Sequence, residues 1–355
     1  MAKPKRPTPK PARKTPPSKK QKTAARHAAK QPARPKKAPK AAAKNGAKGA
    51  AMKAAPKRPA DPFGEKALIQ IFTELLRRAA TSIPPDVLAA LEKAREREAP
   101  GSVARDTFDV LIENTRLAKQ DSLPICQDTG MPFFEVAIPR GISIGAIERA
   151  AVEATRQATK GGFLRPNSVD TLTNKNPGDG AGKGMPIVHV HEGKGKGLSV
   201  QLILKGGGSE NVGTQSALPN VDLGADRDID GVKKIVLEAI FNAQGKGCAP
   251  GVIGFCFGGD RANGYAEAKK QLFRRLDDTN PDPTIAAMEA ELLEKGNLLG
   301  IGPMGYGGKT TLLGVKGSYL ARLPACYFVS VTYMCWATRR AAVEVLPSGK
   351  AVYSQ

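Results

Sequence analysis

The stretch "LPICQDTGMPFFEVAI", residues 123–138, runs from a polar turn straight into an apolar segment. In its first half a thiol, an amide, a carboxylate and a hydroxyl fill positions 126–129, between a proline and a glycine. Proline and glycine punctuate regular structure, so these four side chains are predicted to lie on a constrained turn. The second half, "FFEVAI", is rich in aromatic and β-branched residues and predicts a strand.

The sequence on both sides of this stretch predicts an α/β (α+β) body, with helices first and a mixture of strands and helices after them. Apolar residues that recur every three to four positions predict helices, and short apolar or alternating runs predict strands. Ser82, which precedes two prolines, is predicted to cap the second helix. Helices are predicted over residues 65–80, 84–98, 104–120, 144–159, 231–244, 264–276 and 285–296, and strands over 133–138, 185–192, 197–204, 251–257, 310–315 and 327–334.

The net charge of +22 comes almost entirely from the first 60 residues. Residues 1–60 hold 20 Lys and Arg and no Asp or Glu, whereas residues 61–355 hold 35 basic and 33 acidic residues. Residues 1–60 also have few large apolar side chains. They cannot offset the entropy of ordering, and they are predicted to be a disordered Lys/Pro/Ala-rich basic tail. Residues 61–355 are predicted to form one folded body.

The basic tail has two interpretations: a solubilising polycation, or a weak, salt-dependent contact with nucleic acid or another polyanion. It resembles a linker-histone tail and lacks aromatic residues for stacking on bases. Five cysteines with no CxxC pair, and no secretory signal, predict a reducing compartment, the cytoplasm. No apolar run approaches the roughly 20 residues that span a bilayer, so no membrane contact is expected.

Three glycine-rich loops, residues 174–184, 205–213 and 300–311, lie in the predicted body. The last ends in the Gly-Lys-Thr of a phosphate-loop motif, but Pro303 occupies the position of the first glycine that the motif requires. The spacing therefore argues against nucleotide triphosphate hydrolysis. The backbone N–H groups of these loops are still suited to binding a small anion.

His189 and His191 stand two positions apart in a predicted strand, so both are expected on one face of it. The pair is a candidate zinc site, and one-sided polar residues on a half-exposed strand are the alternative. Because the chain has only three histidines, a Ser-His-Asp or Cys-His enzyme is weakly supported.

Three cysteines are predicted at the ends of elements: Cys126 in the turn above, Cys248 in "GKGCAPG", and Cys335 after the strand "YFVSVTYM". This placement suits an iron–sulfur cluster better than core packing, because thiolates on turns can converge and accept backbone hydrogen bonds. Three ligands leave one iron open to act as a Lewis acid. Cys256 and Cys326 lie in apolar strand runs and are predicted to be ordinary buried residues.

From about residue 65 to residue 345 the chain resembles the α subunit of the iron–sulfur hydro-lyases, the family of class I fumarase and L(+)-tartrate dehydratase. The resemblance rests on several blocks in the family's order and not on a single motif. These blocks are "PICQDTG", "FFEVAI", "LRPNSVD", "NKNPGDGAGKGMP", "KGGGSEN", "CAPGVIGFCFGGD", "LGIGPMGYGGKTTLLGV" and "YMCWATRR".

The resemblance implies a 4Fe-4S cluster on Cys126, Cys248 and Cys335, whose fourth iron binds substrate oxygen. It also implies the reaction, a reversible hydration of a C4 dicarboxylate, most simply fumarate to malate. L(+)-tartrate dehydratase is the alternative within the family, and mesaconate-type substrates also stay open.

The resemblance further assigns the residues around the substrate. Asp128 matches an acidic active-site residue and is interpreted as a proton relay, with Gln127 beside it at the cluster. Arg165 matches an arginine that binds a substrate carboxylate, for which its guanidinium fork is suited. Gly208 matches a backbone contact to the substrate.

Two departures from the family pattern bear on function. Members commonly have a histidine twelve residues before the third cysteine ligand, where this chain has Leu323. Single-chain class I fumarases continue into a second catalytic domain, so a separate β subunit in a hetero-oligomer is expected here. A rival of another class is a polyanion-binding protein that acts through its tail and whose body has lost catalysis. The intact cysteines and Asp128 favour the enzyme.

Overall fold

The computed structural model describes residues 63–355. The predicted basic tail of residues 1–60, with its polyanion contact and its boundary to the folded body, lies outside the described residues. In the described part the chain forms helices and two mixed sheets, which confirms the predicted α/β (α+β) class.

All seven predicted helices are present, with an unpredicted short helix after the third strand. The predicted helix at 264–276 ends early, at Lys270, where the chain tightens into a 3₁₀ turn. The prediction that Ser82 caps the second helix is wrong. Its Oγ donates to Arg78 O at 3.0 Å, and Ser82 instead ends the first helix. The helices are α1 Glu65–Thr81, α2 Pro85–Arg97, α3 Val103–Asp121, α4 Ile144–Lys160, α5 Gly207–Asn211, α6 Ile229–Ala243, α7 Arg261–Lys270 and α8 Pro283–Leu298.

Nine strands in residues 63–355 form two sheets. The first sheet has the order β2-β1-β3-β8-β9 and the second the order β4-β7-β5-β6. The pairs β1–β2 and β5–β6 are parallel and the others antiparallel. The strands are β1 Met131–Ile138, β2 Ile187–Glu192, β3 Leu198–Lys205, β4 Thr214–Ala217, β5 Gly251–Phe257, β6 Leu312–Tyr319, β7 Phe328–Met334, β8 Arg340–Val345 and β9 Ala351–Ser354.

The two sheets form the interior layers. Alternate strand residues point to opposite faces of a sheet, so apolar residues of one strand can pack on both sides. On the first sheet, Leu202 and Leu204 of β3 share a core with α1 and α4, whereas Ile203 points the other way. Ile203 and Phe133 of the first sheet pack with Val252, Leu272 and Met334 from the second sheet's side. The outer face of the second sheet packs against α6 and α8.

Helices α2 and α3 enclose a third core at the ends of the two sheets. Its buried members include Ile125 and Trp336, which are the neighbours of Cys126 and Cys335 in sequence. Two of the candidate cysteines are therefore anchored by an apolar residue next to them. None of the helices in residues 63–355 combines the length and the apolar character needed to cross a membrane.

Strand register brings the ends of both sheets to one edge. Met131 at the start of β1 pairs with Lys205 at the end of β3, and Val252 near the start of β5 pairs with Met334 at the end of β7. Only residues 335–339 separate the end of β7 from the start of β8 in the other sheet. The predicted turn, the loop after β3 and the segments around Cys248 and Cys335 therefore meet at this edge.

Candidate active site at the shared edge of the two sheets

The turn that carries Cys126 is fixed through the residue before it. Ser122 ends α3 in the left-handed conformation, and the chain then reaches Ile125, which is buried. The Ile125 N–H donates to Ala80 O at 3.0 Å, and its carbonyl accepts from Asn114 Nδ2 at 2.8 Å. Cys126 follows directly and is partly buried.

The other end of the turn is fixed by Thr129 and Gly130. The buried Thr129 Oγ1 accepts from the Arg165 N–H at 2.9 Å and from Asn167 Nδ2 at 3.2 Å. Gly130 has a φ of +79°, and an added Cβ there would lie 2.8 Å from the Leu204 carbonyl carbon. Only glycine fits this position, because β3 lies directly against the turn.

Asp128 is held on both its side chain and its backbone. Its Oδ1 accepts from the Gly130 N–H at 3.1 Å, and its carbonyl accepts from Arg339 Nη1 at 2.6 Å. Its Oδ2 lies 2.9 Å from the place that a Cβ on Gly206 would take. The absence of a side chain at Gly206 thus allows the carboxylate to approach the loop after β3.

Cys248 and Cys335 are joined through the backbone. Cys248 has a φ of +55°, and its carbonyl accepts from the Trp336 N–H at 3.1 Å. Thr338 Oγ1 donates to the Cys335 carbonyl at 3.0 Å, which closes the turn after β7. Cys248 is exposed and Cys335 is partly buried.

The three thiols and Asp128 lie within electrostatic range of one another. Burial raises the pKa of Cys248, and Cys335, Cys126 and Asp128 raise it further. Burial also raises the pKa of Cys335, against which the positive charges of Arg339 and Lys205 act. In residues 63–355 no three His, Cys, Asp or Glu side chains stand close enough to hold a single metal ion. This does not bear on a four-iron cluster, because each of its thiolate ligands binds a different iron.

A buried ion network lies below the loop after β3, and sequence reasoning missed it. Lys205 Nζ, which is buried, lies 3.1 Å from Glu210 Oε2, and Lys269 Nζ lies 2.6 Å from Glu210 Oε1. Burial lowers the pKa of Lys205. Burial acts to raise the pKa of Glu210, yet the two lysines outweigh it and the pKa is lowered. The only signal in the sequence was the Lys and Glu of "KGGGSEN".

The remaining predicted substrate residues border the edge. Arg165 is exposed, and its backbone is tied to the turn by Thr129. Gln127 is exposed beside Asp128. Gly208 lies in α5, where an added Cβ would be 3.6 Å from the Lys246 carbonyl oxygen, so α5 borders the turn that leads to Cys248.

The other two cysteines differ from each other. Cys256 is buried in β5 as predicted, and burial raises its pKa to about 11. The expectation that Cys326 lies in a strand was wrong: it is partly exposed in the loop before β7, where its N–H donates to Leu323 O. Leu323, at the position of the family's histidine, is itself exposed in this loop.

In residues 63–355 the two strand histidines belong to no group of three or more ligand side chains that could hold a metal ion. His189 Nδ1 lies 2.8 Å from Glu135 Oε1, across the β1–β2 pair, and its ring meets Phe133 edge-on. His191, two positions on, is exposed. In the described part of the chain His189 is thus paired with a carboxylate.

The glycine-rich loop at residues 300–311 binds an anion that belongs to the chain itself. The buried Glu98 at the end of α2 accepts from the Lys309 N–H at 2.9 and 3.0 Å and from the Thr310 N–H at 2.9 Å. The backbone donors that resemble a phosphate cradle are therefore filled by an internal carboxylate.

Relatives of this chain carry the names of one class of enzyme, the hydro-lyases. A Geobacillus stearothermophilus protein named "Putative fumarate hydratase class I" is 45% identical over 284 residues, which are 79% of this chain and 55% of the relative. A Methanocaldococcus jannaschii protein named "Putative L(+)-tartrate dehydratase subunit alpha" is 37% identical over 284 residues, 78% of this chain and 96% of the relative. The Escherichia coli K12 "L(+)-tartrate dehydratase subunit alpha" is 28% identical over 280 residues, 78% of this chain and 90% of the relative.

The chain belongs to the fumarate hydratase (Fumerase) family, whose model matches residues 69–344. The resemblance inferred from the sequence blocks is therefore confirmed. The chain spans about half the length of the Geobacillus relative and nearly all of the two α subunits.

Proposed function

We propose that this chain is the α subunit of a hydro-lyase that reversibly hydrates a C4 dicarboxylate, most simply fumarate to malate. One observation carries the proposal: Cys126, Cys248 and Cys335 stand on loops that meet at an edge built from both sheets, with Asp128 two residues after Cys126. Family membership gives this arrangement its chemical context.

The three thiolates would hold a 4Fe-4S cluster. The donor set fits such a group, because thiolates are its usual ligands and two of the three positions are anchored by buried neighbours. Two buried cations, Lys205 and Arg339, lie near Cys335 and offset the negative charge that thiolates carry. When bound, the cluster supplies an open iron that acts as a Lewis acid on the substrate hydroxyl.

Asp128 would move the carbon-bound proton. Because Gly130 holds one carboxylate oxygen and Arg339 holds the backbone carbonyl, the residue is preorganised for proton transfer. The other oxygen points at the loop around Gly206. The direction of transfer, acid or base, follows from the substrate that is bound.

Arg165, Gln127 and Gly208 would bind the substrate. The exposed guanidinium of Arg165 is available for a bidentate contact with a carboxylate. Thr129 ties the Arg165 backbone to the turn that carries Asp128, so the carboxylate contact and the proton relay move as one unit. Gly208 lies in α5, which borders the turn before Cys248.

A separate β subunit would complete the enzyme as a hetero-oligomer. Support comes from the two relatives named subunit alpha, which the chain covers over 96% and 90% of their length. The same relatives make L(+)-tartrate the alternative substrate. Leu323 in place of the family's histidine favours testing both substrates side by side.

The first test is metal analysis of the full chain reconstituted anaerobically with iron and sulfide, beside Cys335→Ser and, as a control, Cys256→Ser. We expect about four iron and four sulfide per chain with a brown chromophore that air bleaches. The Cys335 variant should lose it and the Cys256 variant should keep it. A colourless wild-type chain would overturn the cluster and with it the hydro-lyase mechanism.

The basic tail supports a second, independent function, a contact with nucleic acid or another polyanion. Its 20 basic residues without an acid are the observation that favours it. Deletion of residues 1–60 should abolish salt-dependent retention on DNA and leave hydratase activity unchanged. Retention that persists after deletion would contradict a role for the tail.

A further inference from the structure

Arg339 is a fully buried cation that lacks an acidic partner in the part of the chain the structure describes. Its side chain is the largest fully buried one in residues 63–355, and the residue is 1% exposed. The adjacent Arg340 is buried as well, but it pairs with the carboxylate of Asp86. Two neighbouring arginines thus have opposite electrostatic situations.

The guanidinium of Arg339 lies between the turn of residues 126–130 and the loop after β3. Its Nη1 donates to the Asp128 carbonyl at 2.6 Å, and its Nη2 lies 3.6 Å from the place of a Cβ on Gly206. Its Nε is buried and has no partner among the described residues. Thr338, the residue before Arg339, donates its Oγ1 to the Cys335 carbonyl at 3.0 Å, so Arg339 directly follows the turn that carries this thiol.

A buried guanidinium with one carbonyl partner is costly, because its charge has lost the hydration that it has in water. Such a group persists where an anion compensates it. Lys205 has Glu210 for this purpose, whereas Arg339 forms no ion pair in residues 63–355, and the nearby Asp128 carboxylate accepts from the Gly130 N–H instead. A cluster held by three thiolates carries a net negative charge, so it would supply the missing anion.

We infer that Arg339 is the positioning residue of the cluster: it holds the Cys126 turn through the Asp128 carbonyl and provides the positive charge that compensates the bound thiolates. The inference rests on the proposed function. Arg339 touches no ligand atom directly, and its effect is expected on the affinity and reduction potential of the cluster. Residues around metal ligands commonly change metal affinity or activity by about 10–100-fold when they are mutated.

The experiment uses the full chain, reconstituted anaerobically, as wild type, Arg339→Gln and Arg339→Lys. We expect Arg339→Gln to lose iron to a chelator about tenfold faster and to shift the reduction potential to more negative values, because a nearby positive charge favours the reduced cluster. Arg339→Lys should restore the potential and still lose iron faster, because an ammonium cannot keep the same forked contact.

The double variant Asp86→Asn with Arg340→Gln is the matched control. It neutralises the neighbouring buried ion pair, so it should lower thermal stability and leave the reduction potential unchanged. This control separates loss of buried charge in general from loss of charge at the thiols.

The outcomes distinguish the inference from the proposed function. A wild-type chain without a cluster overturns the proposed function. A wild-type cluster with unchanged potential and unchanged iron loss in Arg339→Gln overturns the role of Arg339. Should Arg339→Gln fail to fold, Arg339→Lys decides: faster iron loss at the wild-type potential supports the role, and wild-type iron loss contradicts it.

Discussion

Two glycine-rich loops of similar composition have different structural roles in this fold. The loop at residues 300–311 is closed, because Glu98 fills its backbone donors from within the chain. The loop of residues 205–213 borders the thiol edge, and the carboxylate that approaches it, Asp128, sits on the candidate active-site turn. In both loops the glycines therefore allow a carboxylate of the chain to approach the backbone closely. The role of that carboxylate distinguishes the loops: Glu98 is structural, whereas Asp128 lies in the candidate active site.

The largest expected effect is at the site loop. Asp128→Asn should lower hydratase activity of the complete enzyme by about 10²–10⁴-fold, because the amide cannot carry a proton. Cluster content should stay at the wild-type value. Kinetics beside iron analysis check this, with the exposed Asp121→Asn at the end of α3 as the control. Wild-type activity in Asp128→Asn would remove this residue from the proton path.

At the loop of residues 300–311, a substitution should lower the stability of the protein and leave its activity unchanged. Glu98→Ala leaves the Lys309 N–H and the buried Thr310 N–H unpaired, which should cost about 2–3 kcal/mol of unfolding free energy. Urea denaturation checks this, with the exposed Glu96→Ala on the same helix as the control. A loss of activity without a loss of stability would mean that this loop also serves the site.

Replacing one glycine of each loop by alanine compares the two loops directly, with smaller expected effects than the substitutions above. In Gly206→Ala the added Cβ would lie 2.9 Å from Asp128 Oδ2, so the carboxylate must move and activity should fall about tenfold with little change in stability. In Gly308→Ala the Cβ would lie 2.9 Å from Ala104 Cβ, which should cost about 1–2 kcal/mol with activity kept. Equal responses from the two variants would contradict the distinction between the loops.

The smallest effect concerns acid. The folded pKa of Glu210 lies below its ordinary value of 4.5, so its ion pairs stabilise the protein above that value. This contribution is lost as the pH falls through the folded pKa. Glu210→Gln should therefore show a shallower loss of stability below pH 4.5 than the wild type. Denaturation series at several pH values check this, with the exposed Glu294→Gln, which should follow the wild type.

Periodicity located the long elements and missed the ones that depend on partners. Strand β8 starts with Arg340, a charge that argues against a buried strand until Asp86 is placed beside it. β6 extends four residues past its predicted end because the buried Lys316 is paired with Asp278 at 2.6 Å. Such pairs join distant parts of the chain and cannot be read from a local window.

The candidate site was predictable where chemistry and turn signals coincide. Cys126 and Asp128 stand between Pro and Gly, and both lie in the loop between α3 and β1. Lys205 and Arg339 were missed, because their significance comes from burial and from the charges opposite them. A lysine or arginine in a sequence is predicted to be exposed to solvent, and its burial becomes visible only in the tertiary structure.

The contact between Glu98 and the 300–311 loop also sets an order of assembly. It joins residues 211 positions apart, the Asp86–Arg340 pair joins residues 254 apart, and Ser82 Oγ bonds Gln355 across 273. The helices α1 to α3 are thus completed by segments that the ribosome makes much later. Until those arrive, the apolar faces of α1 to α3 lack their final cover, and such long-range contacts slow folding and expose the nascent chain to aggregation.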